Sequence, residues 1–147
     1  MPMLRHLLKS TDATAAVETA IFAPFFLILT LGITDLGAGM FVKMQVNAAA
    51  QSGGAYAVIN SGSAACFPAV TASCLTSIQT AMNNATGNSS FCTVADCSAS
   101  LTSCADPNGG ACYAVSASYP YTPILPDAVY TWASNQTYSS TVTVRIQ

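Results

Sequence analysis

From Thr19 to Thr34 the chain reads Thr-Ala-Ile-Phe-Ala-Pro-Phe-Phe-Leu-Ile-Leu-Thr-Leu-Gly-Ile-Thr, apolar at most positions and without a charge. With the mild residues Ala13–Val17 before it and Leu36–Val42 after it, this stretch has the length of a membrane span, which takes roughly 20 apolar residues in a helix. Glu18 and Asp35 bracket the run. A helix would separate them by roughly 25 Å, one carboxylate near each interface of a hydrocarbon core about 30 Å thick. Pro24 lies inside the run, where it removes one backbone hydrogen bond and kinks the axis, a bend that membrane helices tolerate.

Beyond the span, Met40 to Val58 keeps good helix formers and many small residues, which let another helix approach closely. Gly53 and Gly54 weaken this continuation without ending it, and Asn60-Ser-Gly-Ser is the expected stop. Val70–Met82 follows as a helix with Leu75, Ile78, Gln79 and Met82 on one face. Asn83-Asn-Ala-Thr-Gly-Asn is a polar break. Phe91–Leu101 reads as a strand, Asp106-Pro-Asn-Gly-Gly as a turn and Cys112–Tyr119 as a second strand, together a hairpin. Tyr119-Pro-Tyr-Thr-Pro-Ile-Leu-Pro is expected to be irregular, because proline lacks the ladder donor. Tyr138–Ile146 alternates cleanly: Val142, Val144 and Ile146 face one way, Thr141, Thr143 and Arg145 the other. The expected fold is α+β: a long N-terminal transmembrane helix extending into a small extracytoplasmic domain with an antiparallel sheet. The expected organisation is a cytoplasmic leader over 1–12, the transmembrane and extended helix over 13–60, and a disulfide-containing periplasmic domain over 61–147.

Charge sets the orientation. Arg5, His6 and Lys9 precede the span and only Lys43 follows it closely, so the positive-inside rule puts the N-terminus in the cytoplasm. A cleaved secretory signal would need a clean apolar stretch followed by a small-residue cleavage site; the run here is long, Glu18 interrupts its start, and the helical pattern continues past it. Charged residues are only 7% of the 147, and nothing basic lies between Lys43 and Arg145. Nucleic-acid binding needs clustered cations to displace phosphate counterions, so it is not expected.

The six cysteines, Cys66, Cys74, Cys92, Cys97, Cys104 and Cys112, all fall after the span. An even count on the oxidising side of a membrane points to disulfides. Six cysteines allow 15 pairings; Cys66 with Cys74 and Cys104 with Cys112 are expected as the shortest loop closures. No metal site is expected: there is no Cys-x-x-Cys pair, and the one histidine, His6, lies across the membrane. The outer part holds Asp96, Asp106 and Asp127 as its acids and Arg145 as its cation, with no histidine or glutamate. A Ser-His-Asp triad or an activated cysteine has no base there, so the chain is not expected to be an enzyme and no cofactor is implied. Trp132 with Tyr119, Tyr121 and Tyr130 is either a binding surface or, more in keeping with aromatic habits, part of the core.

The stretch from Asp12 to Gly37, with Val17-Glu18, Pro24 and Gly32-Ile33-Thr34-Asp35-Leu36-Gly37, followed by the small-residue stretch Asn47–Tyr56, resembles the start of the TadE-like family, pseudopilins of the bacterial tight-adherence (Tad/Flp) pilus system. The resemblance implies a pilin-like fold and a minor pseudopilin or assembly component in the inner membrane. Its partners would be other pilins or pseudopilins, the Tad secretion machinery and a prepilin peptidase. Such a peptidase would cut between Ala13 and Thr14, four positions ahead of Glu18. The chain departs from the family pattern in having Ala13 where a glycine is usual and Thr19 where an aromatic often follows the glutamate. The resemblance also implies helix packing in an assembly through Glu18, Pro24, Gly32, Asp35 and Gly37. The alternatives read from the residues are a membrane-tethered extracytoplasmic binding module and, less in keeping with the missing histidine, a tethered enzyme.

Overall fold

The computed structural model describes residues 11–104, 110–124 and 136–146. Helix α1, Thr11–Ile59, runs unbroken for 49 residues with Pro24 inside it, a length of about 74 Å. From Ala15 to Leu31 it is exposed among the described residues. Val17, Ile21, Phe22, Phe25, Phe26, Leu27 and Ile28 are each more than half exposed, so apolar side chains point outward on every side. A helix apolar all round needs a lipid or protein surround, and this is the one described helix long and apolar enough to cross a membrane. Thr19, Thr30 and Thr34 turn their hydroxyls back onto the carbonyls of Ala15, Phe26 and Thr30, each at 2.9 Å. These bonds give the hydroxyls partners within the helix itself.

From Asp35 onward one side of α1 becomes a wall of a small core. Val46, Ala49, Ala50, Gly53 and Ala57 are buried, and their spacing of three and four places them on one helix face. The chain turns after Ile59, where the Asn60 side-chain amide bonds the Tyr56 carbonyl at 3.0 Å. Helix α2, Ala72–Thr86, starts at Thr71, whose hydroxyl accepts from the Cys74 N–H, and ends at Gly87 with φ 68°, a left-handed cap that suits glycine. Cys74, Ile78 and Met82 are its buried stripe. Leu75 and Gln79, also expected on that face, are half-buried.

A short helix, α3 (Phe91–Val94), leads into a sheet of β1 (Asp96–Ser103), β2 (Ala111–Tyr121) and β3 (Gln136–Arg145). The sheet is antiparallel throughout, in the order β1-β2-β3. Val142 and Val144 turn inward and Thr141, Thr143 and Arg145 outward, as the alternation predicts. One face of the sheet packs on α1 and α2, with Tyr113 and Val115 fully buried between them. The Tyr113 hydroxyl donates to the Cys66 carbonyl at 2.8 Å, so its polar end is satisfied inside the core. Burial alone pushes its pKa above the ordinary tyrosine value.

Two local expectations are corrected. Phe91–Leu101 is not one strand: Phe91–Val94 is a helical turn and the strand begins at Asp96. The Cys92–Cys97 bridge folds the chain back there, and Asn83 Oδ1 accepts the Cys92 N–H at 2.8 Å, favouring a turn over a ladder. The segment Tyr119-Pro120-Tyr121 is regular strand after all. Pairing of β1 with β2 stops at Ser118 while β2 and β3 stay paired to Tyr121. Pro120 therefore sits where β2 has become an edge, the position at which a missing N–H costs no ladder bond.

The cysteines pair as Cys66–Cys74, Cys92–Cys97 and Cys104–Cys112, with Cα separations of 5.4, 5.4 and 5.3 Å. Two of these are the expected closures; Cys92–Cys97, with a sequence separation of 5 against 8 for each of the others, is shorter than either and corrects the expectation that they are the shortest. Arg5, His6, Lys9, Asp106, Asp127, Tyr130 and Trp132 lie outside the described residues.

Candidate functional site

The residues singled out in α1 do not form one cluster. Glu18 and Pro24 are exposed on the uncovered half of the helix. Ala13 and Thr14 belong to its first turn. A helix turns 100° per residue, so Glu18 and Asp35, 17 positions apart, point to faces about 100° from one another. Gly37 is exposed, and a Cβ there would meet nothing within 4 Å.

Gly32 and Asp35, one turn apart, are brought to a common place. Asp35 is 7% exposed although it lies at the end of the apolar run. Its carboxylate accepts from the Tyr121 hydroxyl and, at 3.1 Å, from the backbone N–H of Ile124. The same hydroxyl lies 2.9 Å from the Asp35 carbonyl oxygen. Partial burial, then the hydrogen bond to Asp35 and its negative charge, push the Tyr121 pKa up to about 12. Tyr121 packs on Tyr138, ring centres 5.9 Å apart. Tyr138 in turn lies over Gly39, where a Cβ would stand 2.9 Å from its hydroxyl oxygen. Gly32, Asp35, Leu36, Lys43, Tyr121 and Tyr138 line a cleft of about 410 Å³ beside this contact.

The contact joins residues 86 apart, and no local pattern in the sequence announces it. The available signal is that a carboxylate bordering an apolar run needs a partner; nothing names Tyr121 as that partner.

The small-residue face has a use within the chain. At Gly53 a Cβ would lie 2.8 Å from Met82 Cγ and 2.9 Å from Val115 Cγ1; at Gly54 it would lie 3.0 Å from Val144 Cγ2. These glycines let α2 and the sheet close onto α1. Ser52 completes the α1–α2 seam by donating to the Ala81 carbonyl at 3.1 Å. The packing expected of another helix is made here by the molecule's own α2, β2 and β3. Of the aromatics, Tyr119 stacks on Phe91 at 5.4 Å and Tyr121 is engaged with Asp35, so both serve internal contacts.

Among curated proteins and among solved structures, no match is found. The segment that carries Glu18, Pro24, Asp35 and the glycines of the α1 seam is similar to a known family: residues 13–54 match the model described as TadE-like protein.

Proposed function

We propose that the chain is a minor pseudopilin, or a membrane-anchored assembly component, of a bacterial Tad-type pilus. It acts through helix packing rather than catalysis. The carrying observation is the TadE-like match over residues 13–54, which suggests a Tad pilus-related protein and falls on the one described helix with the length and apolarity of a single-pass span. In this reading the N-terminus is cytoplasmic, the span crosses the inner membrane, and the disulfide-bearing domain faces the periplasm. The three disulfides support that side, because such bonds persist in oxidising compartments.

Glu18 is the residue of interest for assembly. It is exposed in the lower half of α1, next to an apolar stretch where a carboxylate is costly unless paired. Processing between Ala13 and Thr14 would create a new amine one turn from it, and the amine of a neighbouring subunit would satisfy the charge. Glu18→Ala is expected to reduce co-assembly with other pilins while leaving membrane insertion intact; unchanged co-assembly would overturn this role. N-terminal sequencing of the membrane form is expected to begin at Thr14, and an N-terminus at Met1 or Pro2 would remove the processing step.

A further inference from the structure

Beside and behind the face of α1 that meets the sheet, the apolar surface does not stop at Asp35: Leu36 and Met40 flank the cleft at Tyr121 and Tyr138, and Phe41 and Met44 lie farther round the helix. Leu36, Met40, Phe41 and Met44 are 65, 62, 58 and 61% exposed. Lys43 is the first charge after Asp35, and the next is Asp96. From Val17 to Met44 the exposed apolar surface is about 40 Å long at 1.5 Å per residue. That exceeds a hydrocarbon core of about 30 Å and approaches the 40–45 Å of a bilayer with its headgroup layers.

The remaining side of the same stretch is covered by the base of the sheet, Tyr121 against Asp35 and Tyr138 against Gly39. The base and the exposed apolar face therefore stand at one height along the helix. From Tyr119 to Ile124 and from Gln136 to Tyr138 the base carries no charge, and Ile124 is 63% exposed. Pro120 and Pro123 remove two backbone donors that a water-poor layer would leave unsatisfied. Tyrosine is the residue type that favours the boundary between lipid and water.

We propose that the base of the small domain, Tyr121–Ile124 with Tyr138, is immersed in the interfacial layer of the bilayer. Lipid lies against Leu36, Met40 and Ile124, and Lys43 extends its amine to the headgroup phosphates as long cationic side chains do. Asp35 is then a carboxylate at membrane depth, and the Tyr121 hydroxyl and Ile124 N–H are donors that the protein carries down to it. The proposal rests on the reading of α1 as a membrane span.

Spin labels placed singly at Ile124→Cys, Phe26→Cys and Gly62→Cys test it. The full oxidised chain is used in vesicles of phosphatidylcholine and phosphatidylglycerol. Phe26 is exposed in the middle of the span, and Gly62 lies in open space past the far end of α1. Collisions with dissolved oxygen report lipid and collisions with a water-soluble nickel chelate report water. The expected result is that Ile124 loses most of its chelate collisions relative to Gly62, gains oxygen collisions, and lies shallower than Phe26. Chelate access at Ile124 equal to that at Gly62, with Phe26 in lipid, overturns the proposal and leaves the span intact. Chelate access at Phe26 overturns both. Loss of both kinds of collision at Ile124, with broadening between labels, makes the face a contact between copies of the chain and also overturns the proposal.

Discussion

A single hydroxyl group, that of Tyr121, reaches the helix at Asp35 and meets both its carboxylate and its carbonyl. Hydrogen bonds to charged groups contribute about 1.5–3 kcal/mol, and Tyr121→Phe is expected to cost the α1–sheet contact that amount. Hydrogen exchange is the suitable measurement. Amides at the β2–β3 end, Tyr121 and Gln136 to Tyr138, should exchange faster, while those of Tyr113 to Val115 should not change. The same hydroxyl predicts a response to alkali. Below pH 10 it is protonated in folded and unfolded chain alike, and its contribution to stability is complete. Between 10 and about 12 the unfolded chain releases the proton and the folded one retains it, so stability falls as pH rises through that window. Tyrosinate absorbance should show a late-titrating fraction that Tyr121→Phe diminishes. The sequence marks Asp35 as a carboxylate bordering an apolar run, but its partner stands 86 residues on, and a pairing of that separation has no periodicity to betray it.

At the level of elements, glycines at two heights of α1 should behave oppositely. Gly53→Ala forces a Cβ against the stiff Val115 and the buried Met82. Overpacking of that kind costs about 1–3 kcal/mol, readable as a lowered thermal midpoint. Gly37→Ala meets nothing and should raise helix stability by up to about 1 kcal/mol. If Gly37 is a packing point between subunits, the same variant loses co-assembly without losing fold. The disulfides are all local. Cys92→Ser with Cys97→Ser should cost about 2 kcal/mol by loop-closure entropy and loosen α3, leaving the α1–β2 seam protected from exchange. The long helix, the β3 alternation and the hairpin of β1 and β2 are legible in the residues because each follows a local period. The start of β1 and the extension of β2 through Pro120 are not. One depends on a bridge that sequence leaves among many pairings, the other on where a neighbouring strand happens to end.

In the whole molecule one helix has two kinds of surface. Its lower half offers apolar side chains in every direction, and its upper half completes a core with α2 and the sheet. The small residues of the upper half read, in sequence, as room for a foreign helix. The structure gives that room to the chain's own elements, because Gly53 and Gly54 are already occupied at contact distance. If the chain assembles as proposed, contacts between subunits are left to the lower half and to the exposed face of the upper half, where Met40, Phe41 and Met44 lie. Cross-linking from Leu29 is accordingly expected to capture neighbours in a pilus preparation, and cross-linking from the buried Ala49 to capture only residues of the same chain.

No linker separates the two halves of α1: the helix continues from Thr11 to Ile59, and Asp35 and Gly39 fasten the sheet to it at its base. The domain is therefore joined to α1 at its base as well as along the seam at Gly53 and Gly54. If α1 spans a bilayer as proposed, whatever sets the azimuth of the span among its neighbours also sets the compass bearing of the outward sheet face with Thr141 and Thr143.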